Sequence, residues 1–108
     1  MPVVLKVLKQ CERELLEWPE DVRGELADAV ARLERGLLLS MPLSRPMPSI
    51  GPGVHELRFR DRAGIYRVVY WIAGAEELWL LHAFKKKTQQ TPPSAIETAK
   101  ERLRRIRR

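Results

Sequence analysis

The strongest constraint in the chain is a change of hydrophobic period. Between residues 55 and 84 three segments, HELRFR, IYRVVYWI and LWLLHAF, alternate or run β-rich, and they are parted by breaks of four and five residues. Short breaks between β-rich segments demand hairpins, so the segments form an antiparallel meander. The register follows from the turns. With 61–64 as the first loop, Arg60 faces Ile65, Phe59 faces Tyr66, Arg58 faces Arg67 and Leu57 faces Val68. With 73–77 as the second, Ile72 faces Leu78, Val69 faces Leu81, Val68 faces His82, Arg67 faces Ala83 and Ile65 faces Lys85. Side chains alternate across a strand, which predicts Arg58, Arg60, Arg67 and Lys85 on one face, with Trp71 and Trp79. Leu57, Phe59, Tyr66, Val68, Tyr70, Leu80, His82 and Phe84 fall on the other.

The flanks read as helix-forming, apart from a first strand at 3–8, VVLKVL. A short helix is expected over 11–17 and is stopped by Trp18-Pro19, because the residue before proline is driven out of the α region. A longer helix at 21–37 carries Val22, Leu26, Val30, Leu33 and Leu37 on one stripe. Residues 38–53 hold Pro42, Pro46, Pro48 and Pro52 and read as a loop. A last helix, 94–106, is expected to be capped by Ser94 and to bury Ile96, Ala99, Leu103 and Ile106. The expected fold is α+β in the order β-α-α-β-β-β-α, a small antiparallel sheet with helices on one face and the other open to a ligand. At 108 residues it is read as a single domain, 1–108.

Charge narrows the function classes. Lys and Arg number 20 against 14 Asp and Glu, and residues 82–108 alone hold 9 basic and 2 acidic side chains. A localised basic field points to a polyanionic partner. The one cysteine, Cys11, excludes an internal disulfide and reads as inert. With only His55 and His82 beside it, neither a metal site nor a cofactor is expected. No apolar run approaches a membrane span, and the N-terminus does not read as a signal peptide, so a cytoplasmic protein with no membrane role is expected.

Arg58 and Arg67 directly opposite each other would repel, unless an anion visits or a neighbouring acid such as Glu56 neutralises them. A guanidinium cluster suits phosphate oxygens. Lys85, Lys86 and Lys87 extend the basic field. His82 reads more readily as a buried, hydrogen-bonded histidine than as an acid or base, and His55 stays open between the two. Trp71 and Trp79 read as apolar flooring, with base stacking as the alternative.

HELRFR at 55–60, YRVVY at 66–70, LLHAFKKKTQQTP at 80–92, the closing helix and ELLEWPEDVR at 14–23 together resemble the RelE/HigB superfamily of bacterial toxins, in its phage-derived HigB-like branch. The resemblance implies the toxin of a type II toxin–antitoxin pair, an endoribonuclease that cuts mRNA on the ribosome and inhibits translation. It implies attack by a ribose 2′-OH on the adjacent phosphate. It also implies a neighbouring helix-turn-helix antitoxin as partner, with operator DNA reached only through that antitoxin. Carried over by motif, Arg58, Arg60, Arg67, Lys85 and Lys86 are the catalytic candidates. Lys87, His55 and Trp79 are RNA-binding candidates, and His82 is a possible acid or base. The chain departs from the family in lacking a histidine or tyrosine near its C-terminus, so proton transfer is unassigned. Two other readings stand beside this one: a non-catalytic basic RNA- or ribosome-binding module, and an inactive toxin fold that acts with an antitoxin at an operator.

Overall fold

The computed structural model describes residues 3–86 and 90–107. Its elements are β1 (Val4–Val7), α1 (Lys9–Leu15), α2 (Glu20–Glu34), β2 (Ser44–Pro46), β3 (Val54–Asp61), β4 (Gly64–Ala73), β5 (Glu77–Lys86) and α3 (Pro93–Ile106). The α+β class holds, and the order matches apart from β2. One five-stranded sheet runs β1-β5-β4-β3-β2. It is mixed rather than purely antiparallel, because β1 lies parallel to β5 on the outer edge.

Helix ends obey local chemistry. Pro19 sits at the N-cap of α2, where its missing N–H costs nothing. At the other end Gly36 takes φ 85°, its N–H bonds to Leu33 O, and the Leu37 N–H bonds to Arg32 O. That pair of bonds is a Schellman ending, so Leu37 lies outside the helix in which the apolar stripe placed it. Pro92, not Ser94, caps α3, with Pro93 in its first turn. The proline-rich stretch contains β2, and Pro46 is tolerated there because the strand is an edge. Ser44 is anchored by a 2.6 Å hydrogen bond between its Oγ and Tyr70 Oη.

The β3–β4 register is the expected one, with Arg58 opposite Arg67. The β4–β5 register is not. Ile72 faces Leu78 as expected, but a bulge between Val69 and Tyr70 leaves Leu81 as an extra residue on β5. Beyond it Val69 faces His82, Val68 faces Ala83, Arg67 faces Phe84, Tyr66 faces Lys85 and Ile65 faces Lys86. One inserted residue reverses every later side chain. His82 and Phe84 therefore join the face of Arg67, Lys86 takes the place expected for Lys85, and Lys85 lies on the opposite face.

Helices cover both faces, which corrects the expectation of a bare one. Cys11 of α1 and Val22, Leu26, Ala29, Val30 and Leu33 of α2 pack with Leu57, Phe59, Tyr66, Val68 and Tyr70. Ala99 and Leu103 of α3 pack with Val54, Val69 and Leu81 on the other side, with Met47 and Ile50 from the loop. Only part of that second face is left to solvent. No helix among the described residues is long and apolar enough to cross a membrane.

Candidate functional site

The centre of the second face is polar although it is buried. Glu56 and Arg67 are both fully buried, and Arg58 is 15% exposed in its side chain. Glu56 Oε1 lies 3.8 Å from Arg58 Nε and 4.0 Å from Arg67 Nε. β2 brings Arg45 opposite Glu56 in the ladder. Thr91 closes the group from the segment that leads into α3. Its Oγ1 donates to Glu56 Oε2 at 2.7 Å and accepts from Arg67 Nη1 at 3.1 Å and from Arg45 Nη2 at 3.4 Å. Two guanidiniums thus flank one carboxylate directly, and a third, Arg45, reaches it through Thr91.

This answers the repulsion between Arg58 and Arg67 that the sequence poses. Glu56 supplies the shared counter-charge, as one of the two readings required, and among the described residues the cluster holds more cations than acids. Burial lowers the pKa of Arg67, Glu56 opposes that, and Arg58 and Arg45 add to it. A guanidinium nevertheless stays charged at any cellular pH, so the cluster is a standing positive field in a low-dielectric setting. Such a field favours phosphate oxygens and any charge that builds on them during reaction.

Arg60 lies exposed at the outer end of the same face, paired with Ile65, and Lys86 occupies the neighbouring row on β5. A cleft of about 490 Å³ lined by Pro42, Leu43, Arg58, Phe59, Arg60 and Ile65 opens there. Lys85 is separated from the arginines by the sheet, and its Nζ lies 5.5 Å from the centroid of the Tyr66 ring. Lys87 lies outside the described residues. His55 pairs with Tyr70 in the ladder and stacks on its ring at 5.3 Å, on the α1–α2 face and away from Arg67. Trp71 and Trp79 share the arginine face but pack under α3, and Trp79 Nε1 donates to Glu77 Oε1 at 3.0 Å.

His82 belongs to a second charged group. Glu14 Oε1 accepts from His82 Nδ1 and from the Ala83 N–H, each at 3.0 Å, and Arg102 grips both carboxylate oxygens at 2.9 Å. Arg102 also donates to Leu81 O at 2.9 Å. Burial lowers the His82 pKa; Glu14 opposes the shift and Arg102 adds to it. Burial alone would raise the Glu14 pKa, but its hydrogen bonds from Arg102, Ala83 and His82 leave it below the ordinary 4.5. His82 is a structural histidine that ties α1, α3 and β5 together. Cys11 beside this group has its thiol pushed up to about 12, first by burial and then by Glu14, which removes thiolate chemistry.

Arg45 and Thr91 are the residues the sequence reading missed. Arg45 stands in a proline-rich stretch with no strand signature, and Thr91 just past a basic run whose lysines carry the signal. Among the described residues no group of three or more His, Cys, Asp or Glu side chains is placed to hold a metal ion.

Comparison with known proteins bears on family and fold. Residues 13–104 match the family described as "Phage derived protein Gp49-like". Among solved structures, a double arginine-to-alanine mutant of the E. coli toxin RelE in the free state aligns at a TM-score of 0.68 with 16% identity. That match covers 98% of this chain and 99% of the other. The toxin–antitoxin complex RelBE2 from Mycobacterium tuberculosis aligns at 0.57 with 17% identity, over 80% of this chain and 100% of that one. Curated protein sequences give no match. The phage-derived, RelE-type relationship implied by the sequence motifs is the one found: the chain belongs to the phage-derived Gp49-like family and has the fold of the RelE toxins.

Proposed function

We propose that this chain is the toxin of a toxin–antitoxin pair, and that it acts in the cytoplasm as an endoribonuclease on mRNA held by the ribosome. The observation that carries the reading is the gathering of Arg45, Arg58 and Arg67 around one buried carboxylate on a single sheet face. In this reading a ribose 2′-oxygen attacks the adjacent phosphorus, the bond to the 5′-oxygen breaks, and a 2′,3′-cyclic phosphate and a 5′-hydroxyl result. Arg58 and Arg67 stabilise the extra negative charge on the phosphorane oxygens, and Arg60 and Lys86 hold flanking phosphates. The partner protein is a helix-turn-helix antitoxin encoded beside it, through which it would reach operator DNA.

One observation favours a second reading, in which the chain inhibits translation by binding RNA or the ribosome without cutting. His82 is locked between Glu14 and Arg102, and His55 lies on the opposite face from Arg67, so neither stands ready to move a proton at the cluster. Primer extension on a defined mRNA in a cell-free translation reaction separates the two. New 5′ ends that require ribosomes and disappear in Arg67→Ala support the nuclease. Blocked translation with intact message sinks it in favour of the binder.

A further inference from the structure

Beyond the arginine cluster lies a second basic feature on the same side of the molecule. A groove of about 420 Å³ runs between α3 and the loop before β3, lined by Ile50, Lys100, Leu103, Arg104 and Arg107. The three cations fall at i, i+4 and i+7, a spacing that aligns them along one side of a helix. Its far wall comes close: a Cβ added at Gly51 would lie 3.0 Å from Leu103 Cδ2 and 3.6 Å from Arg107 Nη1. Lys100 and Arg104 each have an acid one turn back, Glu97 at 3.9 Å and Glu101 at 3.1 Å. Those acids are not part of the groove lining, and exposed pairs of this kind exchange partners at little cost.

At its end Arg107 stands over the Trp71 ring, 5.9 Å from its centroid. A groove of cations closed by an aromatic–guanidinium platform suits a single-stranded nucleic acid, whose phosphates take the charges while a base stacks. One turn, through the buried Met47, also ties the wall of the groove to the arginine cluster. Arg45 Nη2 contacts Met47 Sδ at 3.5 Å, the Met47 carbonyl accepts from the Ile50 and Gly51 N–H groups, and Ile50 lines the groove.

We infer that the groove formed by Lys100, Arg104 and Arg107 beside Trp71 binds the phosphodiester backbone of single-stranded RNA, as a second contact for a strand whose reacting phosphate lies at the arginine cluster. The inference rests on the RNA reading above, and names where the strand runs.

The test uses the full chain and a fluorescent 12-nucleotide 2′-O-methyl RNA, which lacks the attacking hydroxyl and stays intact. Lys100→Glu with Arg104→Glu is compared with Arg32→Glu plus Arg35→Glu, the same charge change at exposed positions near the C-terminal end of α2. The groove pair is expected to weaken binding at least tenfold more than the α2 pair. It should also lower the salt slope of log K by roughly 1.4, about 0.7 per phosphate contact. Arg107→Gln is expected to weaken binding severalfold with half that change in slope. Equal effects of the two double variants would mean unspecific attraction and overturn the inference. So would unchanged RNA binding accompanied by loss of a co-expressed protein partner, which assigns the groove to that partner. Primer extension keeps this separate from the nuclease reading. Groove-dependent binding without any cleavage sinks the nuclease alone, whereas cleavage with groove-independent binding sinks the groove alone.

Discussion

Two clusters in this molecule use the same ingredients, glutamate and arginine held in or near the interior, and come out opposite. Around Glu14, one arginine meets one carboxylate through two 2.9 Å bonds, and a backbone N–H and a histidine also bond to it. Around Glu56, two arginines lie at ion-pair distances from one carboxylate, and a third is linked to it through Thr91. The first arrangement is closed and ties helices to the sheet. The second, among the described residues, holds more cations than acids, which is the arrangement the proposed phosphate site requires. The cluster around Glu56 is the more deeply buried of the two, yet it is the open one, so the ratio of charges and not burial is what separates a clamp from a binding site.

The largest expected effect tests the open cluster. Arg67→Ala should lower mRNA cleavage by about 10²–10³, the scale for losing a donor to a developing oxyanion. Because it also strands Glu56, the companion is Arg67→Lys, which keeps the charge and loses the fork. It should retain the fold by circular dichroism and still lose most of the cleavage. A fully active Arg67→Lys would show that only net charge matters there.

Next is the closed cluster. Arg102→Ala leaves the half-buried Glu14 carboxylate without its strongest partner and should cost roughly 2–3 kcal/mol in urea unfolding. Cleavage by the remaining folded protein should stay within about twofold, because Arg102 bonds to Glu14 and to the β5 backbone at Leu81 rather than to the arginine cluster's carboxylate, Glu56. A large loss of specific activity at unchanged stability would merge the two clusters into one functional unit.

Phosphate distinguishes them without any assay of activity. Inorganic phosphate should raise the melting temperature of the native chain and of Arg102→Ala alike. Glu56→Gln should melt lower without phosphate and gain more from it, since the added anion replaces the lost carboxylate. At this chain length each kcal/mol of ligand stabilisation moves Tm by about 4–8 °C. Equal gains for native and Glu56→Gln chains would place the anion elsewhere.

Acid acts on the closed cluster. His82 has a folded pKa below its ordinary 6.5, so the unfolded chain takes up the proton first and stability falls as pH drops below about 6.5. Glu14, held below 4.5, adds a second loss only at lower pH, where its carboxylate is protonated. Unfolding midpoints between pH 7 and 5 should therefore fall in the native chain and flatten in His82→Gln. An unchanged slope would remove His82 as the source.

The two clusters were not equally legible. Arg58 opposite Arg67 follows from a turn whose residues announce it, Asp61 accepting from the Ala63 and Gly64 N–H groups. The covering stripe Val22–Leu26–Val30–Leu33 follows from helical period, because packing repeats with the geometry that creates it. The Glu14 cluster was hidden, since it joins residues 68 and 88 positions apart that share no pattern. Arg45 was hidden by prolines that forbid a central strand but allow an edge. Placing α3 on the far face needed tertiary information, because an amphipathic helix states that it packs and not against what.

The bulge is the sharpest case, and it yields the smallest prediction. Nothing in LWLLHAF marks Leu81 as the extra residue, yet it decides which lysine faces the arginines. Exposed Lys85 lies against the buried Tyr66 ring on the α1–α2 face, where a solvated cation over an aromatic contributes about 0.5–1 kcal/mol. Lys86 faces the arginine side, where loss of one solvated phosphate contact should cost a few-fold in cleavage. Lys85→Ala should therefore lower stability slightly and leave cleavage unchanged, while Lys86→Ala should do the reverse. The two effects exchange places if β5 carries no bulge, for then Lys85 faces Ile65 on the arginine side and Lys86 turns away. Two alanine variants measured side by side thus read the register of the strand from function.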